Sequence, residues 1–220
     1  MTGTSDIGAN VTTSANQTYS DAITLTANSV LMAGGNIDVQ EIDGAFDVTL
    51  DATGTLTLNE ALGGGTTLNS LTLSGESVDL PATDVTNGLT VTSTNGDITD
   101  VGTITVGGNA NFTANGADDD IDLGDLAVTG TISVNTTGSN GDASITNTTA
   151  VDLATSTVGG DLDVTATAGG ITDSGDLSVG GEASFTGDSI TIGESGENTN
   201  FGSLTADTSG ANGNQIITED

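Results

Sequence analysis

The sequence predicts an all-β protein, a right-handed parallel β-helix (β-solenoid) with about three short strands in each coil. Apolar and polar residues alternate in short segments along the whole chain, and no stretch has the 3.6-residue period of a helix. One long segment recurs without a gap, and Gly, Asn and Asp separate the apolar segments. Together these features are typical of a coil that stacks on near-copies of itself.

Strands are predicted wherever Val, Ile, Leu or Ala occupies alternate positions with Thr, Ser or Asp between them. β-branched residues such as Thr, Val and Ile are enriched in strands. Low hydrophobicity and high charge are also typical of disordered chains, but such chains are poor in β-branched residues. The pattern predicts strands at residues 23–26, 46–50, 56–58, 71–73, 89–92, 104–106, 121–123, 132–134, 143–145, 151–153, 162–164, 177–179 and 190–192.

The internal repeat joins residues 89–113 to residues 162–186 at an offset of 73, with 15 of 25 positions identical. The identities preserve the alternating apolar positions and the Gly-Gly pairs at 107–108 and 180–181. A coil of roughly 20–25 residues would make this offset about three coils and the chain about nine or ten coils, a rod on the order of 45 Å long. We expect a single domain over 1–220, with irregular ends at 1–20 and 205–220.

An antiparallel β-sandwich or barrel is the alternative fold. Gly-Gly and Asn-Gly between alternating strands, as at 107–108 and 140–141, are also hairpin signals. The very short strands, the shortage of large core residues and the gapless repeat favour the solenoid, because stacked coils need only narrow aliphatic layers.

The charge of the chain excludes several classes of partner and reaction. It has no Lys, Arg, His, Cys or Trp and 31 Asp and Glu residues, for a formal net charge of −31. Nothing can neutralise phosphates, so nucleic acid and anionic membrane surfaces are not expected partners. Triads, Schiff bases and zinc sites built on imidazole or thiolate are impossible. We predict no catalytic residues and no enzyme activity.

Two acidic groups formally permit a carboxylate-pair hydrolase: Asp118 to Asp120 with Asp122, and Glu194 with Glu197. Such chemistry also needs a desolvated pocket, usually with aromatic side chains, and the chain has only four Phe and one Tyr. Solvated acidic corners are the favoured interpretation.

Calcium is the cation that these acids would bind if they bind one. The candidate ligands are Asp118, Asp119, Asp120, Asp122 and Asp125, because calcium takes several carboxylate and carbonyl oxygens. The segment has neither EF-hand spacing nor a Gly-Gly-x-Gly-x-Asp nonapeptide. No cofactor is required for the predicted fold. A calcium- or saccharide-binding module should stack its acids in register on one side, whereas a spacer should scatter them over all corners.

Threonine pairs suggest a further alternative, an ice-binding array on a flat face. Thr is also a common outward strand residue, and Asp122, Asp152 and Asp163 would interrupt such an array. The pairs are Thr24/Thr26, Thr55/Thr57, Thr90/Thr92, Thr103/Thr105 and Thr165/Thr167.

The repeat pattern resembles a known class of bacterial surface proteins. Residues 88–113 and 161–192, and more loosely 121–160, are similar to the repeats of giant filamentous-haemagglutinin-like adhesins and related secreted exoproteins. The resemblance implies a right-handed β-helical shaft, exported through an outer-membrane partner, rather than a binding tip.

The predicted function is a structural shaft or spacer of a secreted bacterial adhesin or extracellular filament. Met1 is followed by Thr-Gly-Thr-Ser without a basic or apolar leader, so no signal peptide is predicted and the chain is expected to be a fragment of a longer secreted parent. The expected partners are neighbouring repeats, or copies of the chain that stack end to end through exposed strand edges. The sequence names no adhesion ligand.

Overall fold

A computed structural model describes residues 5–193, 196–208 and 213–219. Within these residues every regular element is a β-strand and every strand pairing is parallel. They contain no helix long and apolar enough to cross a membrane. The pairing confirms the predicted β-solenoid, since a sandwich or barrel built from hairpins would pair neighbouring strands in antiparallel fashion.

The strands are short and closely spaced, and all thirteen predicted strands coincide with observed ones. In chain order they are β1 Ser5–Ile7, β2 Val11–Thr13, β3 Gln17–Thr18, β4 Ile23–Leu25, β5 Ser29–Ala33, β6 Ile37–Val39, β7 Ile42–Asp43, β8 Asp47–Ala52, β9 Leu56–Leu58, β10 Leu68–Gly75, β11 Val78–Leu80, β12 Thr83–Ser93, β13 Ile98–Asp100, β14 Ile104–Val106, β15 Ala110–Ala114, β16 Ile121–Val128, β17 Thr131–Thr136, β18 Ala143–Asn147, β19 Val151–Leu153, β20 Ser156–Val158, β21 Leu162–Ala166, β22 Ile171–Asp173, β23 Leu177–Gly187, β24 Ile190–Ile192, β25 Thr199–Thr208 and β26 Gln215–Ile217.

The strands form three faces that run along the rod, and the chain visits them in the order A, B, C. Face A contains β1, β4, β7, the start of β12, β14 and the end of β16. In the later coils it continues with β19, β22, β24 and β26, of which β19 also pairs with the start of β17 below it. Face B contains β2, β5, β8, β10, the end of β12, β15, β17, β20 and the starts of β23 and β25. Face C contains β3, β6, β9, β11, β13, the start of β16, β18, β21 and the ends of β23 and β25.

One outward-facing column on face B runs from the first to the last coil of the described residues and gives the number of these coils. It places one residue in each of ten coils, and successive members are 18 to 23 residues apart in the chain. At about 4.8 Å per coil the column is about 43 Å long. Its members are Thr12, Met32, Asp51, Ser74, Thr92, Thr113, Asn135, Thr157, Ser178 and Asn200.

The core is a continuous stack of aliphatic side chains, as the alternation predicted. On face B the inward column consists of residues that are all fully buried: Leu31, Leu50, Leu73, Val91, Phe112 and Val134. Each side chain therefore packs on its counterparts one coil below and one coil above. This arrangement lets a chain with few aromatic residues bury a core.

Glycines stack on one another at the corner between faces B and C. Gly138 adopts a φ of +86°, a conformation that L side chains rarely adopt. A Cβ on Gly159 would overlap the carbonyl oxygen of Gly138, and the same close approach recurs at Gly180 and Gly202. The Gly-Gly pairs are thus corners where successive backbones touch, not hairpin turns.

The offset of the internal repeat is not a whole number of coils. Three coils above Leu89 stands Leu153, whereas Leu162 stands three coils above Ile98. The offset of 73 residues is therefore three coils plus a shift from face B to face C. Corresponding strands of the two copies therefore lie on neighbouring faces of the rod.

The ends of the described chain also belong to the solenoid. Strands β1 to β3 lie within 1–20, and β26 lies within 205–220, the two segments expected to be irregular. In the first coil Gln17 takes an inward position in register with Ile37 and is 5% exposed. Its side-chain amide donates to the Met32 carbonyl at 2.6 Å, and the Tyr19 hydroxyl donates to its Oε1 at 3.0 Å.

Candidate functional site: an acidic ladder at one corner

Five acidic residues stack in successive coils at the corner that leads into face C. We call this set the acidic ladder: Asp97, Asp120, Asp142, Asp161 and Glu182. From the second member onward, each backbone N–H donates to the carboxylate one coil below, over 2.7–2.9 Å. Each coil therefore gains one hydrogen bond to a charged acceptor and adds one like charge about 4.8 Å from the last.

The local sequence explains the position of the ladder. Each member directly precedes the first inward-facing apolar residue of a face C strand. Four of the five also follow a glycine, which gives the pattern glycine, acid, apolar residue at 96–98, 141–143, 160–162 and 181–183. Sequence analysis identified only Asp120 of these residues. The repeated Gly–acid–apolar pattern was the signal that could have found the others.

Three of the predicted calcium ligands point to different neighbours. Asp118 accepts a hydrogen bond from the Asn140 side-chain amide one coil above, at 2.8 Å. Asp119 accepts one from the Gly96 N–H one coil below, at 2.5 Å. Asp125 accepts one from the Thr103 hydroxyl, also one coil below and at 2.5 Å.

The other two predicted ligands are also separate. Asp120 belongs to the acidic ladder, and Asp122 faces outward on face C between Thr99 and Ser144. Across the described ranges, no three acidic side chains lie close enough together to hold a metal ion. The local density of acids in residues 118–125 is thus distributed around the coil. Glu194, one of the hydrolase candidates, lies outside the described residues.

A second acidic group lies near the C-terminal end of the rod. Burial raises the pKa of Asp173 above its ordinary value of 3.8, two hydrogen bonds lower it, and the charges of Glu197 and Asp152 raise it further. The Gly193 N–H donates to both carboxylate oxygens of Asp173, at 3.0 and 3.1 Å. Asp152 Oδ1 is buried and has no hydrogen-bond partner within the described part of the chain.

The threonine pairs do not form one array. Their strand residues fall on all three faces: Thr24 and Thr105 on face A, Thr90 on face B, and Thr57 and Thr165 on face C. The pairs singled out by sequence therefore provide no continuous ice-binding surface. The pair Thr90/Thr92 on face B stacks on further threonines, with Thr72 one coil below Thr90 and Thr113 one coil above Thr92.

Neutralising one member of the acidic ladder should stabilise the rod. In Asp142→Asn the amide oxygen can still accept from the Asp161 N–H, while one like charge is removed from the row. We expect the melting temperature to rise by about 1 to 3 °C at low ionic strength, and the gain to shrink in about 0.5 M NaCl, where charges are screened. Asp142→Ala removes the acceptor and should lower the melting temperature. Equal effects of the two variants would contradict this account.

Asp173 should make stability depend on pH. Because its folded pKa is raised, the ionised carboxylate destabilises the fold at neutral pH, and stability is gained as the pH falls through the folded value towards 3.8. Asp173→Asn should therefore melt at a higher temperature than the wild type at pH 7. The difference should close as the pH approaches about 4. A difference that is constant from pH 7 to pH 4, measured by circular dichroism, would contradict the assignment.

Comparison with known proteins identifies the repeat. The model of a family described as repeats of unknown function (DUF5649) matches residues 45–135 and 140–208. No curated protein and no solved structure matches the chain. The matched ranges include the acidic ladder and both copies of the internal repeat.

Proposed function

The chain belongs to this family of repeats of unknown function (DUF5649), and we propose that it serves as a stiff structural spacer, a shaft segment of a larger secreted bacterial surface protein. The observation that supports this most is the face B column from Thr12 to Asn200, which continues through ten coils. Backbone hydrogen bonds run along the axis, so extension of the rod would have to break them.

The acidic surface fits an extracellular environment. Self-repulsion of a chain with a net charge of −31 must be relieved by salt or by bound cations. The same charge keeps the acidic faces of neighbouring rods apart. The parent in this proposal is an adhesin or exoprotein, which rests on the resemblance of residues 88–113 and 161–192 to adhesin repeats and not on the family match. In this proposal the chain is no enzyme and needs no cofactor.

The partners in this proposal are neighbouring repeats or copies stacked end to end. Leu204 stacks on Ala183 in the core register of face C, yet it is 38% exposed because no further coil within the described residues covers it. Ile217, in register with the buried Ile192, is also only partly buried. An uncovered edge of strands with apolar residues can accept another coil.

A cation-dependent module is the second candidate, and the acidic ladder is the observation that favours it. Its acids stack in register on one side, as a calcium module would require. Four of the five ladder carboxylates accept a backbone hydrogen bond from the coil above, however, and Glu182 accepts one from the Thr205 hydroxyl. Acids also occur at other corners, as at Asp100 and Asp176. Cations that screen these charges diffusely are therefore sufficient, and no specific cation site is needed in this proposal.

The distance between two labels tests the spacer proposal. The chain has no cysteine, so Thr12→Cys and Asn200→Cys provide unique attachment sites for a donor and an acceptor dye on exposed positions of face B. We expect a narrow distribution of distances near about 43 Å between the labelled positions, unchanged by calcium or salt. A broad distribution, or one that contracts when calcium is added, would contradict a stiff spacer.

A further inference from the structure

Charge is unevenly distributed around the rod. Within the described residues, the face B strands carry no acidic residue from residue 68 to residue 201. In contrast, Asp79, Asp122 and Asp163 point outward on face C, and Asp84 lies on face A. Asp152 lies at the boundary of faces A and B, because its strand β19 pairs with β22 above and with Thr131 of β17 below. The uncharged segments are 68–75, 88–93, 110–114, 131–136, 156–158, 177–179 and 199–201.

The outward side chains on this part of face B are small and polar. Two neighbouring columns run along it: Thr72, Thr90, Asn111 and Ser133 in one, and Ser74, Thr92, Thr113, Asn135, Thr157, Ser178 and Asn200 in the other. The hydroxyls of Thr72, Thr90, Thr92 and Thr113 form no hydrogen bond within the part of the chain that the structure describes. These groups are available to an external partner.

We infer that face B between residues 68 and 201 is a surface through which a second copy of the chain associates side by side with the first. Parallel strands stacked in register about 4.8 Å apart are the arrangement of a cross-β sheet. Two such sheets pack about 10 Å apart when their side chains are small and uncharged. Face B meets these conditions over seven coils.

The charge of the chain determines which face can contact a second copy. Since the chain has no Lys, Arg or His, no contact between two copies can gain an ion pair. Contact through face C would place Asp122 and Asp163 of one copy near the acids of the other. Of the three faces between residues 68 and 201, only face B can be paired with its own copy without opposing strand carboxylates. The pairing is therefore face B against face B.

The size of the surface sets the strength of the contact. The uncharged column from Ser74 to Asn200 is about 29 Å long, and the outward residues of β10 span about 13 Å. Because β20 and the starts of β23 and β25 contribute only three residues each, the face is below about 400 Å² per copy, less than half of the roughly 800 Å² that a stable interface buries on each partner. One pair of rods of this length should associate weakly, and association should be detectable only at high protein concentration.

The test is sedimentation equilibrium of the full chain with charges added to one face at a time. Thr92→Glu with Thr113→Glu places two stacked acids on face B, and Thr146→Glu with Thr165→Glu places two stacked acids on face C. All four threonines are half-buried strand residues, so the two double variants are matched in burial and charge. Circular dichroism melting establishes that both variants fold.

We expect the average mass of the wild type to rise above 21.4 kDa as its concentration approaches about 1 mM in about 0.5 M NaCl. The face C variant should associate like the wild type, and the face B variant should stay monomeric. A wild type that is monomeric throughout would overturn the inference. So would two variants that both associate, which would point to the rod ends, or two that both stay monomeric, which would point to charge alone.

Discussion

Gly159→Ala is expected to destabilise the rod strongly. The added Cβ would overlap the carbonyl oxygen of Gly138, a backbone atom that cannot move without displacing the coil below. Overpacked sites of this kind cost about 1 to 3 kcal/mol, and a backbone contact belongs at the upper end. For a chain of this length we expect the melting temperature of the variant to fall by about 6 to 12 °C in circular dichroism.

Gly124→Ala is the matched control. A Cβ on Gly124 would meet only the Asp100 carboxylate, at 4.0 Å, and its φ is not positive. This variant should melt within about 3 °C of the wild type. If the two variants lost the same stability, loss of glycine in general would explain the result, and close backbone approach at the corner would not.

The second large effect is expected from removal of a buried aromatic ring. Phe112 is fully buried, in register between Val91 and Val134. Phe112→Ala should lower the free energy of unfolding by about 3 to 5 kcal/mol, because the solenoid leaves a cavity between two coils that the rigid backbone cannot close. Chemical denaturation followed by circular dichroism measures the loss.

Phe46→Ala provides the comparison, since Phe46 is only half-buried at the edge of the core. We expect Phe46→Ala to lower the free energy of unfolding by less than half as much as Phe112→Ala. Equal losses for the two variants would show that the interior of the coil does not carry more of the stability than its edge.

Strand positions could be predicted from the sequence because the alternation is local. In segments such as 104–106 and 190–192, three residues are enough to predict both the strand and which of its side chains face the core. Parallel pairing was less direct. The Gly-Gly pair at 107–108 is compatible with a hairpin, and only the recurrence of a long segment favoured stacked coils.

The register of the coils could not be predicted from the repeat. The three faces bury similar aliphatic stripes, so one segment fits face B at Leu89 and face C at Leu162. Coil lengths also vary, from 18 residues between Ser74 and Thr92 to 23 between Asp51 and Ser74. A sequence offset therefore does not give a whole number of coils.

The spatial arrangement of the acidic residues also could not be predicted from the sequence. Residues 118–125 are the densest acidic segment in the sequence, but the coil turns their side chains towards different neighbours. The acidic ladder joins residues such as Asp97 and Glu182 that are far apart in the chain. Such a stack becomes visible only when the uneven coil lengths are known.

Thermal unfolding with and without calcium tests the central claim most directly. The chain should be melted by far-UV circular dichroism in EDTA, in millimolar calcium, and in sodium at matched ionic strength. We predict a full β signal in EDTA and a melting temperature in calcium that equals the sodium control, because the acids are a solvated coat on a rod that folds by itself. A fold that forms only with calcium, or that calcium stabilises far beyond sodium, would contradict a structural spacer and make the acids ligands.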